Sequence, residues 1–522
     1  MNQSVDREFS KLRSFIWPIY RHELRMLLPM VFILFFVCFN YSILRSLKDS
    51  IVITASGAEV IPFIKLWVML PAAIISTLVF TKLSNRFSQE KVFYIIISVF
   101  SCGYLLFAFV LYPLRETLHP HGLADTLQGI LPAGFKGLVS MLCHWTFTLF
   151  YVLCELWTTI VMSVLFWGFA NEVTKIQVAR RFYSVFSIFS NLAAIAAGQA
   201  ANFVSLGDEF NPSIPFGSSS WEQTMMVLVL VITVTSIAIM AMFRWMNKNV
   251  LNDPSFDEFH KSKLELKKSK RKSSIKDSFS YLSNSKYLIC IAVLVVAYNL
   301  TINLAEVVWK DRLRAQFKSP TEVNQFLNNL TSIMGIVSTM VSIFMAQIIA
   351  RFGWTKTALI TPVMMLITCG GFFTFMIFQE HLADYAVLMT GLTPLAIAVY
   401  FGAAQNCLSK AMKYSVFDAT KEITFIPLSH ESKLKGKAAI DGIGSRLGKS
   451  GGSLLHQGLL LVFGSLSSSA PYVAVIIMGS ITGWIVAVKA LGRMFAEKVS
   501  GEKTDLISEG AKEEKPPAVA NA

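Results

Sequence analysis

Long apolar runs separated by short polar segments recur along the whole chain. One run covers 27–44 and another covers 92–114. About 20 apolar helical residues cross the core of a bilayer, and inside lipid every backbone N–H and C=O has to be paired within its own segment. Each run therefore predicts a membrane-spanning α-helix, and the chain is predicted to be an all-α membrane protein.

The pattern predicts about twelve transmembrane helices, six on each side of a long basic segment. The predicted spans of the first half are 27–46, 60–82, 91–114, 138–170, 181–204 and 222–244. Those of the second half are 285–309, 325–350, 357–378, 384–408, 437–463 and 470–492.

These spans divide the chain into five parts. They are a cytoplasmic N-terminal segment (1–26), a six-helix bundle (27–245), a basic cytoplasmic linker (246–284), a second six-helix bundle (285–492) and a cytoplasmic tail (493–522). The tail is polar and charged, so we expect it to be disordered. Two six-helix halves are the architecture of major-facilitator-like transporters, in which the substrate binds between the halves near the middle of the membrane.

The composition agrees with a membrane location. Only 15% of the residues are charged, against roughly 25% in soluble domains. The net charge of +14 would suggest nucleic acid in a soluble protein, but basic cytoplasmic loops account for it here, so the expected partner is the lipid bilayer and not nucleic acid. All seven cysteines fall in apolar stretches without metal-ligand spacing, which indicates small buried side chains.

Lysine and arginine are concentrated in alternate loops, which predicts a cytoplasmic N-terminus. The predicted outer loops 205–221, 379–383 and 464–469 contain neither residue. Two predicted outer segments depart from the rule: 46–59 contains Lys48, and 310–318 contains Lys310. Because each follows the first span of its half, the repeated exception indicates function.

The first 26 residues show neither a cleavable signal pattern nor the acid-poor composition of an organellar transit peptide. The expected location is therefore the inner (plasma) membrane of a bacterium, with both termini in the cytoplasm.

Short motifs recur in the same order in the two halves. Phe-Asn-Tyr-Ser-Ile at 39–43 is similar to Tyr-Asn-Leu-Thr-Ile at 298–302, and each is followed by a Lys-Asp pair, at 48–49 and at 310–311. Trp-Gly-Phe-Ala-Asn at 167–171 has a partner in Phe-Gly-Ala-Ala-Gln-Asn at 401–406. The two bundles are therefore predicted to be related repeats.

Five charged residues well inside predicted spans are candidates for a functional role, because an unpaired charge there is costly. They are Lys65, Glu155, Glu306, Arg446 and Lys449. Basic side chains in a low-dielectric cavity bind phosphate groups, arginine through a two-pronged contact. We therefore assign the three basic residues to phosphate binding, and the two glutamates to pairing with them or to carrying protons.

Neutral side chains complete the candidate cavity. Polar contacts are predicted for Asn40, Asn171, Asn299 and Asn303, and Phe63 and Trp167 are candidates to stack on a base. The alternative interpretation is structural: salt bridges between helices for the charged residues and ordinary packing for the aromatic ones.

The string Gly448-Lys449-Ser450 does not complete a P-loop, because Ile443 stands where the motif requires a glycine. No metal cluster, nucleophile–base pair or soluble catalytic domain is visible in the sequence. Neither enzyme activity nor a cofactor is therefore expected.

Several longer strings resemble the ATP/ADP translocases of plastids and obligate intracellular bacteria. They are GAEVIPFIK at 57–65, FWGFANE at 166–172, YSVFD at 414–418 and KGKAAID at 435–441. The opening KLRSFIWPI at 11–19 is most similar to the chlamydial members. The resemblance extends from about residue 10 to residue 495.

The resemblance implies a twelve-helix, major-facilitator-like nucleotide transporter. By resemblance, the family's transport-critical lysines and glutamates fall on Lys65, Glu155, Glu306 and Lys449. Strict exchangers have a glycine-containing stretch where this chain reads Phe-Ser-Ile-Phe-Ser-Asn at 186–191. Exchange of ATP for ADP is the leading hypothesis. Proton-coupled import of other nucleotides (GTP, UTP or several) and transport of another organic anion are the alternatives.

Overall fold

The computed structural model describes residues 19–174, 176–205, 209–251, 285–428, 436–437, 440 and 444–513. Nearly all of this described part is helical. Most of the predicted linker and most of the N-terminal segment lie outside it.

The long helices of the described part are numbered in chain order. In the first half they are α1 (Arg21–Ala55), α2 (Val60–Arg86), α3 (Gln89–Leu111), α4 (Trp145–Val173), α5 (Ile176–Val204) and α6 (Ser220–Val250). In the second half they are α7 (Lys286–Gln316), α8 (Pro320–Phe344), α9 (Arg351–Ile377), α10 (Pro394–Thr424), α11 (Ser445–Phe463) and α12 (Leu466–Glu513).

Ten of these helices are long and apolar enough to cross a membrane. An eleventh candidate joins Ala383–Thr390 to α10 through a 72° bend. The eleventh predicted span, 437–463, lies partly outside the described residues, and its main described part is α11. The backbone between Pro320 and Ile377 is broken by a kink at Gly353, whose positive φ of 73° suits glycine.

The buried apolar side chains form two large clusters, and each belongs almost entirely to one half. The first extends from Ile19 to Val250, with a few residues of the second half packed on it. The second extends from Tyr287 to Leu491. Each half therefore has its own core, and the surface between the halves is left for polar contacts.

The halves approach closely where α5 meets α8. A Cβ on Gly198 would lie 2.2 Å from Ser332 Oγ, and one on Gly335 would lie 2.7 Å from the carbonyl oxygen of Asn191. Gln199 also donates to Ser332 Oγ over 3.0 Å. These contacts lie in the parts of α5 and α8 nearer their predicted outer ends.

Three predicted boundaries are wrong in the same way. α1 continues to Ala55, α7 to Gln316 and α10 to Thr424. In each case the apolar run ends near a lysine, which predicts a loop at Lys48, Lys310 and Lys410. All three lysines lie within helices. The helices continue because these charges find partners inside the protein.

Two further boundaries differ. The predicted span 138–170 is divided by a break at His144 (ψ 49°), and α4 starts at Trp145. The last helix continues to Glu513, into the tail for which disorder was expected. Residues 493–513 contain four glutamates and three lysines, which are good helix formers.

The contact between Gly402 on α10 and Trp309 on α7 gives a test of this packing. A Cβ on Gly402 would lie 2.1 Å from Trp309 Cδ1, and the indole is fixed because its Nε1 donates to the carbonyl of Val399 over 3.0 Å. We expect Gly402→Val to lower the free energy of unfolding by about 1–3 kcal/mol, since overpacking forces the neighbours apart.

The measurement is the melting temperature of the purified protein in detergent. Gly370→Val is the matched control, because Gly370 is also inside a helix but has nothing within 4 Å of its Cβ position. Equal melting temperatures for the two variants would contradict the assigned contact.

Candidate functional site

Eight charged side chains meet between the two halves and form what we call the charge cluster. The first half contributes Arg45, Lys48 and Asp49 from α1, Lys65 from α2 and Glu155 from α4. The second half contributes Glu306 and Lys310 from α7 and Lys410 from α10.

Asp49 joins the two halves at the most buried point of the charge cluster. One carboxylate oxygen lies 2.8 Å from the Nζ of Lys48, and the other lies 2.9 Å from the Nζ of Lys310. The three side chains are at most 4% exposed. A buried charge is stable only with close, well-directed partners, so this arrangement holds α1 against α7.

Lys48 has two further partners within the first half. Its Nζ lies 3.0 Å from an oxygen of Glu155 and 4.0 Å from the centre of the Tyr151 ring. The Glu155 side chain is 33% exposed, so it connects the buried lysine to a more open part of the structure. Immediately after Glu155, α4 takes a π-helical turn over Trp157–Phe166, and such turns are frequent at functional sites.

Glu306 is shared by three lysines. Its Oε1 lies 3.5 Å from Lys310 Nζ and 3.3 Å from Lys410 Nζ, whereas its Oε2 lies 3.8 Å from Lys65 Nζ. The side chains of Lys65, Glu306 and Lys410 are between 15% and 23% exposed, so this part of the cluster is accessible.

Lys65 also contacts the second half through an amide. Its Nζ donates to Asn303 Oδ1 over 3.0 Å. Asn303 and Asn299 stand one turn apart on α7 and pack against two glycines of α11: a Cβ on Gly452 would lie 3.2 Å from Asn303 Cβ, and one on Gly448 would lie 2.6 Å from Asn299 Cβ. The glycines let α11 approach α7.

The exposed Lys449 follows Gly448 on α11. Its position is therefore about one helical turn from the level of Asn303 and Lys65. The side chain of Arg446 lies outside the described side chains, so its predicted role stays a prediction.

The charge cluster contains more cations than carboxylates. Five basic side chains face Asp49, Glu155 and Glu306, which leaves an excess of two positive charges within the described residues. Because buried ions without counterions are costly, this excess favours the entry of an anion.

The structure therefore brings together four of the predicted residues: Lys65, Glu155, Glu306 and Asn303. Asn299 is buried beside them and donates to the carbonyl of Val295.

The remaining candidates lie elsewhere. Asn40 is fully buried and bonds to Ile232 and Ser236 of α6, so it holds two helices together instead of lining a cavity. Phe63 is 3% exposed, and a Cβ on Gly137 would meet its ring at 2.8 Å, so it is a packing residue.

Trp167 and Asn171 lie near the predicted inner end of α4. The Trp167 ring meets the ring of Tyr183 edge to face at 5.2 Å. Asn171 is exposed and accepts a hydrogen bond from the hydroxyl of Tyr183. This pair is separate from the charge cluster.

Sequence reasoning assigned no site role to Arg45, Lys48, Asp49, Lys310 and Lys410. A signal for three of them was visible, because Lys-Asp pairs recur at 48–49 and 310–311 where the charge rule for outer loops fails. The repeat is not exact in the structure: Asp49 pairs across the halves, whereas Asp311 pairs with its neighbour Arg312. Lys410 had no such signal, since inner loops are normally basic.

Comparison with known proteins gives consistent matches over almost the whole chain. The family model described as TLC ATP/ADP transporter matches residues 2–495. The chain is 45% identical to ADP,ATP carrier protein 1 of Chlamydia muridarum, over 99% of this chain and 97% of the relative. It is 39% identical to a chloroplastic ADP,ATP carrier protein 2 of Arabidopsis thaliana, over 95% of this chain and 79% of that one.

Solved structures show the same fold at low sequence identity. A D-xylose–proton symporter has a TM-score of 0.54 and 11% identity, over 88% of this chain and 97% of that one. A bacterial homologue of the iron transporter ferroportin has a TM-score of 0.53 and 11% identity, over 90% and 100%. The chain is thus a multi-pass, all-α membrane protein with a major-facilitator-like fold.

Asp49 gives a direct test of the link between the halves. Asp49→Asn leaves Lys48 and Lys310 without their shared carboxylate, and removal of one partner from a buried ion pair costs about 3–5 kcal/mol. We expect a clearly lower melting temperature. Adding Lys310→Met should recover part of the loss, because the unpaired buried cation is then also removed.

Asp125 is exposed, and the Asp125→Asn variant is the control. Its free energy of unfolding should lie within about 0.5 kcal/mol of that of the unmodified protein. If the losses of Asp49→Asn and Lys310→Met simply add in the double variant, the two residues are not coupled and the assigned link is wrong.

Proposed function

We propose that this chain, which belongs to the TLC ATP/ADP transporter family, exchanges ATP for ADP across the membrane by alternating access. The relatives named ADP,ATP carriers match it over nearly their whole length. The observation that carries the proposal is the excess of two positive charges between the halves, in a cluster that is partly accessible.

Nucleoside phosphates suit this cluster because each phosphate group supplies negative charge and several acceptor oxygens. In the empty carrier, Glu155 and Glu306 neutralise the lysines. When a phosphate binds Lys65, it takes the place of the Glu306 carboxylate, which lies 3.8 Å from the lysine. Binding thereby exchanges an internal ion pair for an ion pair with the substrate.

The same exchange couples binding to movement. Lys65 contacts Glu306 and Asn303, and Asp49 contacts Lys310, so both contacts cross between the halves. A ligand that competes for these lysines changes the contacts that hold the halves together. Only a ligand that binds one conformation of the carrier more tightly than the other can shift the balance between them. The contacts with the lysines give the phosphates this difference in affinity.

Seven of the predicted residues take a role in this proposal. Lys65, Lys449 and Arg446 hold the phosphates, and Glu155 and Glu306 are their counterions in the empty state. Asn299 and Asn303 orient the phosphates or the ribose. The basic loops favour a cytoplasmic location for both termini, and the proposed location of the carrier is a bacterial inner membrane.

Proton-coupled import of other nucleotides is the second candidate. It is favoured by the partly exposed Glu155 carboxylate, whose lysine partner in the described residues is Lys48, and by the unusual stretch at 186–191. A carboxylate of this kind can exchange protons with the solvent.

Transport by purified protein in liposomes separates these candidates. For exchange, we expect uptake of labelled ATP or ADP to require internal nucleotide and to be unaffected by an uncoupler. Uptake into nucleotide-free liposomes that an uncoupler abolishes would instead show proton coupling. If no nucleotide is taken up in either format, the proposal is wrong.

The roles of the lysines are tested in the same assay. Lys65→Gln and Lys449→Gln each remove one charge-assisted contact, worth about 1.5–3 kcal/mol, so each should weaken nucleotide affinity by roughly 10–100-fold. Lys136→Gln is the control: Lys136 is exposed on the outer surface and pairs with Glu59 at 3.3 Å. Unchanged affinity in both test variants would remove these lysines from the site.

A further inference from the structure

A narrow cavity lies beside the charge cluster, on the side of Glu306 that faces α10. Its polar lining includes Arg45, Asp49, Glu306 and Asn406, and Met334 closes one side. Lys410 stands one turn from Asn406 on α10, so the two side chains share a helix face. Arg45 and Lys410 belong to the charge cluster, but no contact with the nucleotide has been assigned to them or to Asn406.

Asn406 is the first indication that the cavity receives a ligand. The residue is 2% exposed, yet neither the oxygen nor the nitrogen of its side-chain amide has a hydrogen-bond partner within the described residues. Leaving a buried polar group unpaired costs about 1–3 kcal/mol. A buried asparagine that lines a cavity with both groups unsatisfied is poised to bind a polar ligand.

Arg45 is the second indication. No carboxylate oxygen lies within 4.0 Å of its guanidinium in the described part of the chain, and its polar contact there is Met334 Sδ at 3.9 Å. A thioether is a weak acceptor, whereas a guanidinium is suited to two-pronged binding of phosphate oxygens. Arg45 thus lines the cavity as a cation without a carboxylate in direct contact in the described part of the chain.

Lys410 is the third indication. Its acidic partner in the described residues is Glu306 Oε1 at 3.3 Å, which also serves Lys310 at 3.5 Å. One oxygen therefore neutralises two lysines. The other oxygen, Oε2, faces Lys65. The Glu306 carboxylate accordingly lies between two sets of basic side chains. Lys65, hydrogen-bonded to the neutral Asn303, is on one side, and Lys410 and Arg45 are on the other.

We propose that Arg45, Asn406 and Lys410 form a second phosphate subsite, which takes another phosphate group of the same nucleotide. The polyphosphate chain occupies the position of the Glu306 carboxylate and contacts both groups of cations. A nucleoside monophosphate fills one subsite, whereas a diphosphate or triphosphate fills both. The second subsite therefore makes the carrier selective for the length of the phosphate chain. This inference rests on the proposed function.

Binding measurements on the purified full-length protein test the inference. Labelled ADP is bound first and then displaced by unlabelled ADP, ATP or AMP, each titrated to full displacement. The unmodified protein should bind ADP and ATP more tightly than AMP. In Arg45→Gln and Lys410→Gln, affinity for ADP and ATP should fall roughly tenfold or more, while affinity for AMP stays nearly constant. The preference for ADP over AMP therefore shrinks.

Four control variants make the result specific. Arg25→Gln and Lys136→Gln remove the same charges at exposed positions and should keep the preference. Lys65→Gln should weaken AMP, ADP and ATP together. Lys410→Arg preserves the charge and should restore much of the preference, which distinguishes lost binding from misfolding.

The possible outcomes decide between the two proposals. If the unmodified protein binds no nucleotide, the proposed function fails. If it binds nucleotides but Arg45→Gln and Lys410→Gln weaken AMP and ADP by the same factor, or weaken neither, the second subsite is wrong while the proposed function stands.

Discussion

Asp49 accepts one lysine on each of its two carboxylate oxygens, and those lysines come from different halves of the protein. The two apolar cores are separate, so the halves are joined by smaller surfaces in which polar contacts matter. Desolvation makes a buried ion pair a weak source of net stability, but removal of one partner is expensive. The charge cluster therefore specifies how the halves meet more than it stabilises either of them.

The Glu306 carboxylate is shared because the charge cluster contains more basic than acidic side chains. With fewer acids than bases, one carboxylate has to serve Lys65, Lys310 and Lys410, and none of these distances is shorter than 3.3 Å. Asp49, by contrast, has both of its lysines within 2.9 Å. The cluster thus combines a tight part at Asp49 with a looser part at Glu306, and the looser part is the one that is accessible.

The architecture could be predicted from the chain because apolar runs and basic loops follow directly from the physics of lipid. Lys65, Glu155 and Glu306 could be predicted too, since each stands alone within an apolar run. The recurring Lys-Asp pair drew attention to Lys48 and Asp49, but the helical position of Lys48, Asp49 and Lys410 could not be predicted, because an apolar run ends at the first group of charges and predicts loops there. Their helical position depends on distant partners. Glu155 is 107 residues from Lys48 along the chain, and Glu306 is 104 residues from Lys410. The packing of Asn40 against α6 could not be predicted for a similar reason, since its partners there are invisible in a linear pattern.

The burial of Asp49 and Lys310 also determines how the junction responds to dissolved ions. Salt screens charges that are in contact with water, with a Debye length of about 8 Å at physiological ionic strength, but it hardly reaches pairs that are 2–4% exposed. Surface pairs such as Lys437 with Glu422, both 45% exposed, weaken as salt rises. The contact between Asp49 and Lys310 is consequently much less sensitive to ionic strength on either side of the membrane than such exposed pairs are.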